Sequence, residues 1–297
     1  MRIAIAPATF PHETAFLERF AATCVELGHY VTVEPEWLET ELDLLVQWGA
    51  KSALPAGLGW AGPTIHIELA WLPRWHYQVS WTGINAKHHA AGGRMEVTST
   101  HQNRIDATLH SIRSGSGMPE KGWHYCDPTV PAYEGLAPFW LCPLQVPGDV
   151  NMDSLPESLR TPEGLIGYVI SRHYGDPARI YFKQHPAMSE RRQHFKIKPP
   201  HKFLKHDTKH QIASYLKSPN CLGVICGNSN VFHDALLWGK PATALGDGFW
   251  GKGPITMQPG TDETNAYLRH VLANQWTLEM ANDPARVAVL IGDALSG

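Results

Sequence analysis

The stretch that most limits what this chain can fold into is C-G-N-S-N-V-F-H-D-A-L-L-W-G-K-P-A-T-A-L-G, from Cys226 to Gly246. An apolar run over 222–226 reads as a buried strand and ends in a small polar loop, Gly227-Asn228-Ser229-Asn230. A helix is predicted over 228–238, and Gly239 and Lys240 turn the chain into a second apolar run over 241–245. Strand, loop, helix, turn and strand form a βαβ unit, which requires a parallel sheet. In such a sheet the loop stands at the carboxyl edge, where ligands bind. Free N–H groups and the helix dipole favour an anion there. Ser229 adds a hydroxyl donor, although Ser and Asn are also ordinary helix caps.

The same alternation runs through much of the chain. A helix is predicted over 162–174, with Pro162 at its start and Gly175 just past its end. A strand over 179–182 runs into Lys183-Gln184-His185-Pro186, and a helix is predicted over 209–216. Near the N-terminus, 2–6 reads as a strand and 13–27 as a helix with Phe16, Phe20, Cys24 and Leu27 on one face. Gly28 ends that helix. Residues 30–33 read as a second strand, 42–48 as strand or helix, and 64–69 as a strand ending near Glu68. The middle, 57–147, is irregular, and 94–111 shows few helix signals. Two helices close the chain near 261–275 and 284–295.

The expected fold class is α/β, with two Rossmann-like domains facing a central cleft. Residues 1–160 are expected to form the N-terminal domain and 161–297 the C-terminal domain with the terminal helices, joined by a Pro- and Ser-rich stretch at 150–161. A length of 297 residues accommodates two domains. Hydrophobic residues at 43% exclude a disordered chain. The formal charge of −3 argues against a general polyanion binder, yet seven Lys and Arg residues crowd 191–209, and a local basic patch attracts phosphates. The five cysteines form no C-x-x-C pair, so neither a disulfide framework nor a structural zinc site is expected. The 17 histidines show no metal-ligand spacing, so no metal is expected. Pro7 and Pro11 interrupt any signal-peptide core, and no stretch approaches the ~20 apolar residues of a membrane span, so a cytoplasmic setting is expected.

Three features carry candidate chemistry. The Asn228-Ser229-Asn230 loop suits a phosphate. Lys183 and His185, directly after a strand, suit the charge of a diphosphate or phosphodiester leaving group. The two turns are expected on neighbouring strands. Glu68, a strand-end carboxylate beside Trp71 and Trp75, suits a general base, although an exposed strand-end glutamate is commoner.

These motifs follow one another as E-x-x-x-L-P-R from Glu68, G-I-N at 83–85, P-L-Q-x-x-x-D from Pro143, K-x-H-P from Lys183, N-S-N-x-x-x-x-A-L-x-x-G-K-P from Asn228, and L-G at 245–246. In that order the chain resembles bacterial capsular-polysaccharide glycosyltransferases of the Kdo-transferase type and the sialyltransferase-like branch of the GT-B fold. The resemblance spans about 65–246 and is strongest from Cys142 onward. It implies that His185 and Pro186 bind the nucleotide phosphate and that Asn228 and Ser229 bind phosphate at the helix start. It also implies that Glu68 is the catalytic base and that Gln145 lines the cleft. Lys183, Asn230 and Gly246 join the donor side, and Trp71, Arg74 and Asn85 the acceptor side. The acidic-Gly pair that the family often shows after the acid matching Glu68 is replaced here by Leu69-Ala70, and Asn230 follows Ser229 where Ser-Thr is usual.

The implied activity moves a sugar from a nucleotide-sugar, a co-substrate needing no other cofactor, to an acceptor hydroxyl. A saccharide is the first expected acceptor. A hydroxymethylated base in duplex DNA is the second, suggested by the basic run and the 11 tryptophans. A non-catalytic sugar-nucleotide or saccharide binding module, or an epimerase, is the third, because fold does not settle function.

Overall fold

The computed structural model describes residues 1–7, 11–33, 42–49, 60–72, 75–93, 99–114, 130–134, 137–172, 180–185, 203–204 and 211–297. In chain order the elements are β1 (Arg2–Ile5), α1 (Pro11–Glu26), β2 (Tyr30–Thr32), β3 (Leu44–Trp48), β4 (Thr64–Leu69) and β5 (Tyr77–Ser80). Next come α2 (Ser99–Ser114), β6 (Phe139–Pro143), α3 (Pro162–Arg172), β7 (Ile180–Lys183) and β8 (Phe203–Leu204). The chain continues with α4 (Ile212–Lys217), β9 (Cys221–Cys226), α5 (Val231–Leu237), β10 (Ala242–Ala244) and β11 (Ile255–Met257). It ends with α6 (Asp262–Ala273) and α7 (Pro284–Ser296).

Two compact units result: Met1–Ala91 with Ala273–Gly297, and Gly92–Leu272. In the first unit five strands lie in the order β2-β1-β3-β4-β5. All neighbours are parallel except β5, which runs antiparallel to β4. One face of this sheet, carrying Ile3, Ile5, Leu44, Val46, Ile65, Ile67 and Val79, packs with Phe16, Phe20 and Cys24 of α1 and Val287, Leu290 and Ile291 of α7. The C-terminal segment is fastened to this unit by backbone bonds as well. Tyr77 and Trp276 exchange N–H···O bonds of 2.8 and 2.7 Å, and the Thr23 hydroxyl donates to the Ala281 carbonyl at 2.7 Å. Asp283 caps α7 by accepting the N–H groups of Ala285 and Arg286, with Pro284 at the first helical position.

In the second unit six strands lie in the order β11-β10-β9-β6-β7-β8, and only the β10–β11 pair is antiparallel. Cys142, Leu144, Ile180, Phe182 and Ile225 form a core with Leu165, Ile166 and Val169 of α3. The other face carries Phe139, whose ring lies 4.8 Å from that of Tyr181 and 6.5 Å from that of Tyr215 on α4. The expected α/β class with two Rossmann-like parts is therefore present.

The division differs from the expected break at 160/161. Phe139–Pro143 is a central strand of the second sheet. The Pro- and Ser-rich stretch forms two 3-10 turns, Val150–Ser154 and Glu157–Leu159, that bury Met152, Leu155 and Leu159 in the second core. Burying three large apolar side chains anchors that stretch to the second core, so it does not behave as a linker. Residues 99–114, which overlap the stretch 94–111 read as poor in helix signals, form α2. Among the described residues no helix is long and apolar enough to cross a membrane, and no three metal-binding side chains gather. Cys24, Cys142, Cys221 and Cys226 are buried free thiols, and burial pushes Cys226 up to about 12.

Candidate active site

The second sheet reverses its winding at one place. From β6 the chain moves outward to β7 and β8, then returns to the other side of β6 with β9, β10 and β11. The reversal lies between β6 and β9. A crevice opens outside the carboxyl ends of such a strand pair, because the connections leave in opposite directions. The two exits there are residues 144–149 after β6 and 227–230 after β9.

Gln145 and Asn228 meet at this point. The Gln145 side-chain carbonyl accepts the Asn228 backbone N–H at 3.3 Å. The Asn228 carboxamide nitrogen donates to the Asn151 carbonyl and to Ser154 Oγ, the latter at 2.7 Å, while Oδ1 is buried without a partner among the described residues. Ser154 Oγ also lies 3.2 Å from the carbonyl of Asp247, on the exit from β10, and the Asp247 N–H donates to the Ser154 carbonyl at 3.1 Å. One serine thus bridges the exits of β9 and β10. Ser229 is half-buried, and its hydroxyl accepts the Val231 N–H at 3.3 Å, while Asn230 makes no capping bond with its side chain. Gly246 is buried: its N–H donates to the Gly227 carbonyl at 3.0 Å, its carbonyl accepts the Trp250 indole N–H at 3.0 Å, and its Cα faces Leu155. A packing role is therefore visible for Gly246.

The exit from β7 stands farther away than expected. His185 and Ser229 do not follow neighbouring strands, because β6 lies between β7 and β9. At ~4.8 Å per strand, the two exits are about 10 Å apart along the edge. Lys183 is only 6% exposed, and its Nζ lies 5.5 Å from the centre of the Tyr215 ring. As the last residue of β7 it turns its side chain onto the α4 face of the sheet, not outward from the edge. Gln184 is buried and His185 half-buried. Pro186 and Arg74 lie outside the described residues, as does the basic run at 191–209 apart from Phe203 and Leu204.

In the first unit, Glu68 occupies the carboxyl end of β4 as expected. Its Oε1 accepts the N–H of Leu69 at 2.9 Å, and Oε2 faces Gly49, just past β3, where φ is +76° and a Cβ would stand 3.7 Å away. Successive residues alternate faces in a strand. Glu68 therefore shares its face with His66 and with the cross-strand partners Gln47, Gln78 and Ser80. Burial lowers the His66 pKa, the positive charge of Lys87 adds to the effect, and the Gly49 carbonyl opposes it. Trp71 is 0% exposed, and its indole N–H donates to Asn85 Oδ1 at 3.0 Å. Asn85, at φ +52°, donates its own N–H to Gln78 Oε1 at 2.8 Å. Trp71 is closed to solvent, and Trp71 and Asn85, two of the three expected acceptor-side residues, take part in the unit's own polar network. Sequence reading missed Gln47, His66 and Ser80. The signal was the alternation T-I-H-I-E-L, whose isoleucines point one way and whose His and Glu point the other.

Two Rossmann-like units, each with its winding reversal and polar carboxyl edge, define the GT-B architecture of glycosyltransferases. The chain is similar to two solved structures from Thermosulfurimonas dismutans. To the KpsC β-Kdo 2,4-transferase it is 17% identical, with a TM-score of 0.57 over 91% of this chain and 89% of that one. To the KpsC β-Kdo 2,7-transferase it is 11% identical, with a TM-score of 0.54 over 98% of this chain and 99% of that one. At such identities the likeness is one of fold. No family model and no curated protein sequence matches the chain.

Proposed function

We propose that this protein is a glycosyltransferase that moves a sugar from a nucleotide-sugar to the hydroxyl of a saccharide acceptor. The observation that carries the reading is the pairing of Gln145 with Asn228 at the winding reversal of the second sheet. That place offers a ligand backbone N–H groups, carboxamides and the Ser229 hydroxyl at a carboxyl edge. The likeness in fold to two Kdo transferases supports the same reading.

The leaving nucleotide develops negative charge as the anomeric bond breaks. Donors held in place on the 227–230 loop stabilise that charge without having to reorganise, and His185 at the β7 exit adds to them. No metal is required for this step. A base at the carboxyl edge of the first sheet, where Glu68 stands, takes the proton of the acceptor hydroxyl as its oxygen attacks the anomeric carbon. The DNA acceptor drew on the basic run and the tryptophans; nearly all of that run lies outside the described residues, and nothing in the structure favours a duplex. A cytoplasmic location remains part of the proposal.

Thermal denaturation with CMP-, UDP-, GDP- and TDP-sugars tests the reading. A ligand at 100 times its dissociation constant stabilises the fold by about 2.7 kcal/mol, which raises the midpoint visibly. A shift with one nucleotide class, weakened by Asn228→Ala, is expected. Unchanged midpoints across the whole set would defeat the transferase reading.

A further inference from the structure

The first sheet has a face that ordinary packing does not require. Parallel strands covered on both sides read as continuous apolar runs. Here Gln47, Gln78 and Ser80 are buried on the same face as half-buried His66 and Glu68. The His66 ring is held at one of its two nitrogens. Its Nδ1 lies 3.2 Å from the Gly49 carbonyl oxygen and 3.1 Å from Gln47 Nε2. A carbonyl only accepts, so the first contact is a hydrogen bond only when Nδ1 carries the proton. Gln47 is compatible with this, because its amide oxygen and nitrogen are interchanged by a half-turn. Its Oε1 is buried without a partner among the described residues, and the half-turn brings that oxygen to Nδ1–H.

The other ring nitrogen then holds a lone pair. Nε2 makes no hydrogen bond among the described residues, and the residue as a whole is half-buried. Burial keeps the ring neutral, against the opposing pull of the Gly49 carbonyl. Lys87, from the turn Asn85–Lys87, presents a positive charge that disfavours an imidazolium. From β3 come the Gly49 carbonyl and the Gln47 amide; from β5 comes the Ser80 hydroxyl, itself 3.0 Å from His89 Nδ1. Glu68, two residues along the same strand face, is the nearby anion, about 7 Å away. A neutral imidazole fixed through Nδ1 by a backbone carbonyl, with the lone pair on Nε2, is the arrangement that accepts a proton at neutral pH.

We infer that the group of this edge that takes the acceptor hydroxyl's proton is His66, on Nε2, with Gly49 and Gln47 as its positioning residues. This rests on the proposed transferase reading. The O–H proton passes to Nε2, and the oxygen's electron pair forms the new bond to the anomeric carbon. The bond from that carbon to the phosphate oxygen breaks, its pair leaving on the nucleotide. The imidazolium afterwards releases its proton to water. Glu68 steadies the imidazolium by charge.

Two measurements on the full chain test this. The first is the two-bond nitrogen–proton spectrum of protein labelled with 15N-histidine, in which the signals lost in His66→Gln identify the ring. A neutral Nδ1–H tautomer at pH 7, titrating below the ordinary value of about 6.5, supports the inference. An Nε2–H tautomer, or a midpoint at or above that value, overturns it. The second is nucleotide release from the same four donor classes with a panel of oligosaccharides. His66→Gln is expected to lower kcat by about 10²-fold or more with the donor KM unchanged and to abolish the acid limb of the pH profile, whereas Glu68→Gln lowers kcat and keeps that limb. Wild-type kcat and pH profile in His66→Gln would overturn the inference. Failure of the wild-type chain to release nucleotide from any donor counts against the transferase reading alone, and the ring spectrum still decides the state of His66.

Discussion

Gln145 Oε1 and the Asn228 backbone N–H, 3.3 Å apart, join the exits of two adjacent parallel strands at the point where the second sheet reverses its winding. The bond holds the 227–230 loop in register with the exit from β6. Gln145→Leu keeps the volume and removes the acceptor, leaving a buried N–H without its partner. Such a loss costs about 1–3 kcal/mol, so the urea midpoint falls without a change in slope. The freed loop is also expected to weaken nucleotide-sugar binding by about tenfold, or 1.4 kcal/mol, in calorimetric titration. A stability loss with unchanged affinity would place the donor elsewhere on the edge.

Gly246 and Leu155 offer a test of packing beneath the same loop. A Cβ on Gly246 would stand 2.3 Å from Leu155 Cδ2 and 3.1 Å from the Ser154 carbonyl. Gly246→Ala is therefore expected to lower stability by about 1–3 kcal/mol through overpacking. Leu155→Ala alone opens a cavity and costs about 2–5 kcal/mol. In the double variant the added methyl occupies part of the space the leucine vacates, so the two losses add to less than their sum, with a coupling of about 0.5–3 kcal/mol. Strict additivity in the calorimetric midpoints would show that the contact yields without strain.

Several elements were legible because a local pattern sufficed. Thr64–Leu69 alternates cleanly, and its strand begins and ends where expected. The strand–loop–helix from Cys221 to Leu237 carries both the apolar run and the polar break that its fold needs. Leu44–Trp48 was ambiguous because five residues set no period. Phe139–Pro143 was missed for a related reason: a five-residue apolar run flanked and ended by proline looks like loop, though it is central to the second sheet. The return of α7 to the first unit is a tertiary fact that no local signal carries. Within the site, Gln145 and Asn228 were named from motifs and do meet. Lys183 was read as a cation for the leaving phosphate, yet the alternation of β7 turns it over Tyr215. His66 escaped notice because its meaning depends on Gln47 and Gly49 of the neighbouring strand, a pairing the linear order does not display.

Trp71 and Asn85 separate a packing role from an acceptor-binding one. The indole is closed to solvent and donates to Asn85 Oδ1 at 3.0 Å. Trp71→Ala is expected to cost about 3–5 kcal/mol, as truncation of a buried aromatic does. Trp71→Phe retains most of the volume and loses the donor, at about 1–2 kcal/mol. Neither change is expected to alter the acceptor KM in the protein that remains folded. A raised KM with undiminished stability in Trp71→Phe would instead mean that the ring turns outward to meet the acceptor.

His76 predicts how stability responds to acid. Burial pushes its pKa down to about 4, against a weaker opposing pull from Glu279. The unfolded chain therefore takes up the proton first, at about 6.5, as the pH falls. The contribution of the neutral ring is complete above about 6.5, declines as the pH drops from there toward about 4, and then levels off. At 1.36 kcal/mol per pH unit, the full swing is at most about 3 kcal/mol. His66 has the same sign of shift, and the lowered Glu279 carboxyl adds a loss of its own at more acid pH, so the total curve mixes several groups. The difference between wild type and His76→Gln isolates the one ring. Urea unfolding at pH 7.5 and pH 5 is expected to show a smaller acid loss in the variant, by about 2 kcal/mol from the 1.5 units separating pH 6.5 from pH 5. Equal losses in the two proteins would mean that His76 takes up its proton in the folded state as readily as in the unfolded chain.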